Sequence, residues 1–97
     1  MEENESIQQR FERFDQAHPE IYEEFRIIAQ DLFQRGRRHY GSKAILEVIR
    51  YHRALQIQDE QEEFKIDNNY SSRYARKLVS EDERFIAFFE LRELRSA

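Results

Sequence analysis

A compact all-α domain is the fold this sequence predicts, a bundle of four to five short helices, and three observations predict it. Glycine occurs twice and proline once in 97 residues rich in Glu, Gln, Arg, Leu and Ala, a balance that favours helices over a turn-rich β fold. Apolar residues recur at three- and four-residue spacing through most of the chain. Eight Phe and five Tyr, with Ile, Leu and Val, supply enough apolar volume for one small core, and the length suits a single domain over residues 1–97. A core of that size gives modest stability, so pairing with a second copy or a partner is expected on size alone.

The elements follow in order. Residues 1–5 are expected to fray. In SIQQRFERFDQA, Ile7, Phe11 and Phe14 form an amphipathic stripe. His18-Pro19 ends it, because proline disfavours helix at the residue before it and suits the first turn of the next. From Pro19 to about Gln34, Ile21, Phe25, Ile28, Ala29, Leu32 and Phe33 trace a broad apolar face, closed by Gly36, where a left-handed cap costs little. Arg37 to Gly41 make a basic connector. Ser42 is placed to cap KAILEVIRYHRAL, with Ile45, Ile49 and His52 on one face. The acidic run 56–63 is a connection with no closing glycine. A brief extended piece is expected near Phe64–Ile66, then a turn at Asp67-Asn68-Asn69. Asn69 caps a helix whose Tyr74, Ala75, Leu78 and Val79 face inward. Ser80 and Glu83 have capping-box spacing for a last helix, ERFIAFFELREL. Its apolar residues cover more than one face, which calls for central burial or for a dimer or partner interface.

The absence of cysteine excludes disulfides and thiolate metal sites and fits a reducing cytosol. No apolar run approaches about 18 residues, so no membrane contact is expected. The acidic opening MEENES is opposite in character to a signal peptide. A cytoplasmic protein is the expectation. A net charge of −4 argues against a general polyanion binder, but it hides segregation. Residues 37–55 carry Arg37, Arg38, Lys43, Arg50 and Arg53 against Glu47 alone; residues 65–77 carry Lys65, Arg73, Arg76 and Lys77 against Asp67. Such patterning places positive patches on an acidic protein.

Catalytic signatures are missing. The three histidines have no shared helical turn, and His52 on an apolar face reads as a core or boundary histidine. Asp59, Glu63 and Lys65 mimic a nuclease Asp…Glu-x-Lys pattern, but that core needs a sheet this chain does not predict. No enzyme activity, cofactor or metal is expected. The binding reading starts from the helix after Asn69. Ser72 and Arg76, and likewise Arg73 and Lys77, lie one turn apart and predict a continuous outward polar face. Arginine at a helix surface suits phosphates and guanine edges, so these four residues are candidates for duplex DNA contact, with Arg37, Arg38, Arg50 and Arg53 as flanking charge. The arrangement is helix-turn-helix-like or winged-helix-like, although Leu55 to Asn69 is far longer than a helix-turn-helix turn. The structural alternative is a solvated helix face. The functional alternative is a protein-interaction module that inhibits a host or defence protein through Asp59, Glu60, Glu62, Glu63, Phe88, Leu91 and Leu94. A homodimer through the C-terminal helix is a third expectation.

The order KAILEVIRYHRAL, FKIDNNYSSRYARKLV and FFELREL resembles a group of small phage- and prophage-encoded proteins over roughly residues 7–95. The resemblance implies a phage setting in a host cell, where small non-enzymatic proteins bind DNA or disable host machinery. The group has no established activity, so it carries no catalytic residues across.

Overall fold

The computed structural model describes residues 5–56 and 65–89. They form an all-α globule of five helices: α1 (Ile7–Ala17), α2 (Pro19–Gln34), α3 (Ser42–Gln56), α4 (Tyr70–Glu81) and α5 (Phe85–Phe89). No strand occurs among the described residues, and Lys65 and Ile66, the described part of the extended piece predicted near Phe64–Ile66, have no regular structure. Phe64 and the acidic run 57–63 lie outside the described residues, as do 90–97 with Leu91 and Leu94.

Local chemistry fixes the helix ends. Ser6 accepts from the Gln9 backbone N–H (3.1 Å) while the Gln9 side chain accepts from the Ser6 N–H (2.9 Å), a capping box that opens α1. Pro19 occupies the first turn of α2, as its ring requires. The far end of α2 closes on Gly36 at φ +93°, where Gly36 N–H donates to Phe33 O (3.1 Å) and Arg37 N–H to Leu32 O (3.1 Å). That pair of bonds is a Schellman closure, which needs a left-handed residue at its centre. At α3 the first helical bond runs from Ile45 N–H to Gly41 O (3.2 Å), so Gly41 holds the cap position and Ser42 is the first helical residue, one place later than expected for a cap.

The predicted capping box at Ser80 does not form. Helix α4 continues through Ser80 and Glu81, and Ser80 Oγ donates back to Lys77 O at 2.6 Å inside the same helix. The turn into α5 is organised by Asp82, whose carboxylate accepts from the Arg84 backbone N–H (3.1 Å) and whose carbonyl accepts from Phe85 N–H (3.1 Å). An Asx-type turn thus replaces the Ser–Glu box.

Helix α3 packs against α2 and α4, α1 lies across α2 and α4, and α5 packs on α4. The core runs through Phe25, Tyr74, Phe85 and Phe88 with Ile21, Ile45, Leu46, Ile49 and Leu78, all essentially inaccessible. Aromatic rings meet repeatedly: Phe25 with Tyr74 at 5.5 Å, Phe33 with Phe85 at 5.2 Å, and Phe85 edge-on to Phe88 at 5.3 Å. Each buried ring contributes about 2–3 kcal/mol through removal of apolar area from water. In the described part of the last segment Phe85, Phe88 and Phe89 are buried centrally, and Ile86 is exposed. Phe88, expected from the sequence to touch a partner, is a core residue instead.

Candidate functional site

The asparagine turn positions α4 as the sequence suggests. Asp67 accepts from Asn69 N–H through its side chain (2.8 Å) and from Tyr70 N–H through its carbonyl (3.0 Å). Asn69 holds the N-cap position, though its side chain makes no capping bond. Tyr74, Ala75 and Leu78 are buried and Val79 half-buried; Tyr70 and Ser71 join them.

The opposite face differs from the expectation. Ser72, Arg73, Arg76 and Lys77 are all half-buried, because α1 lies along the helix they decorate. Arg73 donates from Nε to Gln8 Oε1 (3.1 Å) and from Nη1 to Asn69 O (3.2 Å). Lys77 pairs with Asp15 and sits 4.1 Å from the centre of the Tyr22 ring. Arg76 buries Nε and Nη2 without a hydrogen-bond partner, and Asp15 Oδ1 is likewise buried and unpartnered. A cleft of about 420 Å³ remains between the two helices, bordered by Glu12, Asp15, Arg73, Arg76 and Lys77. The face predicted as continuous and outward is thus largely a helix–helix contact. Gln8 and Asp15, one on each side of Phe11 along α1, are the sequence signal for it, but helical periodicity does not reveal which polar stripe covers which.

Two tyrosines under this contact are perturbed by burial. Tyr22 donates to Glu81 Oε1 at 2.5 Å. Burial, then the Glu81 bond, push its hydroxyl well above the usual phenol range. Burial followed by the Asp15 charge does the same to Tyr74, whose hydroxyl has no partner.

The flanking arginines fall into two further places. Arg50 and Arg53 stand on α3 beside the turn that leads into α4. Arg50 donates to Glu47 (3.1 Å) and to the Ile66 carbonyl, and Arg53 to Glu20 (3.1 Å). With Lys65, Asp67, Phe14 and Tyr70 they border a cleft of about 680 Å³. Arg37 and Arg38 stand at the other end of α3, exposed on the α2–α3 connector. That connector is tied to α5 by Tyr40 N–H donating to Phe88 O (3.1 Å) and by His39 Nδ1 at 3.2 Å from Ala87 O.

This tie brings Arg84, which no motif in the sequence singles out, to a cleft of about 490 Å³ with Arg37, Arg38, His39 and Phe33. Arg84 lies 5.3 Å from the Phe33 ring centre and pairs with Asp82 at 2.6 Å. The Arg84 hydrogen bond holds the Asp82 carboxyl below its ordinary range. No carboxylate borders this cleft among the described residues. Its only signal in the sequence is the run of Arg35, Arg37, Arg38, His39 and Lys43 without an intervening acid.

His52 is a boundary residue, its Nδ1 2.7 Å from Glu24 Oε2. Among the described residues no three His, Asp or Glu converge on a metal-sized site, and no helix is long and apolar enough to cross a membrane. Compared with protein-family models, with characterised proteins and with solved structures, the chain matches none.

Proposed function

We propose that this chain is a non-enzymatic nucleic-acid-binding protein that engages phosphates first through the connector end, by Arg37, Arg38 and Arg84, with Lys43 on the following turn. One observation carries the reading. In a chain of net charge −4, Arg13, Arg26, Arg35, Arg50, Arg53, Lys77 and Arg84 each hold a carboxylate, whereas Arg37 and Arg38 hold none among the described residues and share a cleft on whose border no described residue is a carboxylate. Unanswered guanidinium groups that converge on one surface attract polyanions, and arginine grips phosphate bidentately.

Helix α4 as a recognition helix is the second stage of this proposal. Its Arg73, Arg76 and Lys77 reach a duplex only if α1 yields them, whereas the connector end needs no rearrangement. A phage or prophage setting, implied by the motif resemblance, fits a small accessory protein of this kind.

The test is the affinity for mixed-sequence duplex DNA across salt concentrations. Arg37→Ala/Arg38→Ala weakens binding roughly tenfold at low salt and flattens the slope of log K against log salt by about 2, one step for each phosphate no longer neutralised. Arg73→Ala/Arg76→Ala produces a smaller loss. A larger loss in the α4 pair moves the binding surface to that helix, and no binding at low salt removes the nucleic-acid reading.

The protein-interaction module is kept as a second reading by Tyr51 and Leu55. They stand one turn apart on α3 and are 63% and 66% exposed, an apolar step with no cover among the described residues.

A further inference from the structure

We draw no further inference here: the strongest candidate, the apolar stripe of Ala44, Val48, Tyr51 and Leu55 along the outer side of α3, carries none, because nothing in the structure shows what covers it.

Discussion

The α1–α4 contact and the α2–α3 connector end hold cations of the same type in opposite circumstances. On α4, Arg73 and Lys77 are taken up by Gln8 and Asp15 of α1, above a layer of aromatic rings. On the connector, Arg37 and Arg38 stand over a cleft that no carboxylate borders among the described residues. Charge on a packed helix face is absorbed into the fold, because a neighbouring helix that buries apolar surface brings its own polar stripe with it. Charge on a connector meets no such stripe. Substitutions in the first region should therefore register in stability and those in the second in binding.

The largest expected effect tests whether α1 belongs to the core or rests on it as a detachable cover. Phe11 is 3% exposed, its ring edge-on to Tyr74 at 4.8 Å and to Tyr70 at 5.5 Å. Phe11→Ala should cost about 3–5 kcal/mol, the range for removing a buried ring and leaving a cavity behind. Urea unfolding reads this directly. A loss under about 1 kcal/mol, with the remainder of the domain still cooperative, would make α1 an accessory and return α4 to the surface.

The next effect is electrostatic. Lys77 and Asp15 are one-third and about one-eighth exposed, so neither is well solvated. Lys77→Met should cost about 2 kcal/mol, because the Asp15 carboxylate is left partly buried with its cationic partner gone. Adding Asp15→Asn should recover a good part of that loss, and the coupling in the double-mutant cycle, roughly 1 kcal/mol, measures the pair. Absence of coupling would mean that the contact confers no order on α4's face.

The division between what sequence and structure each supply follows from this contrast. The stripes Ile7–Phe11–Phe14 and Tyr74–Ala75–Leu78 are legible in the sequence, because a 3.6-residue period reports which side of a helix avoids water. The stop at Gly36 is legible because only a left-handed residue closes the helix that way. The covering of Arg73 and Lys77 is not, since periodicity separates apolar from polar without saying which polar stripes meet. The Ser80–Glu83 spacing fails for a related reason: Leu78 is anchored in the core and carries α4 past Ser80, so the local signal loses to packing. Arg84 is hidden in the sequence because its neighbours in the cleft, Arg37 and Arg38, lie far along the chain and meet it through the Tyr40–Phe88 and His39–Ala87 contacts.

A smaller effect comes from alkaline pH. The Tyr74 hydroxyl is buried without a partner, and burial raises its folded-state pKa above the ordinary value near 10. The folded state therefore releases this proton later than the unfolded chain does. Its contribution to stability is intact below about pH 10 and is lost at about 1.4 kcal/mol per pH unit as pH climbs toward the folded value. Tyr22, shifted in the same direction, adds to the decline. Tyr74→Phe should leave stability at neutral pH unchanged or raised by up to about 1 kcal/mol, since it removes an unsatisfied hydroxyl, and it should flatten the alkaline slope. An unaltered slope in thermal melts above pH 10 would assign the alkaline loss to Tyr22 alone.

The smallest stability effect belongs to the connector end, and its smallness is the point. Arg37→Ala/Arg38→Ala removes no side-chain hydrogen bond or ion pair among the described residues, and the Schellman closure before it depends on backbone groups and Gly36. Stability should change by less than about 0.5 kcal/mol, as for exposed substitutions generally. Relief of repulsion between the neighbouring cations favours a slight gain, which added salt would abolish by screening. Gly36→Ala in the same turn behaves differently: its φ of +93° strains any L side chain, so a loss of about 1 kcal/mol is expected although open space surrounds the site. The double alanine change thus separates the connector's arginines from its backbone, which Gly36 and the hydrogen bonds around it hold. A substantial destabilisation by the double alanine change, seen in the same melts, would return them to the fold and erase the contrast with α4.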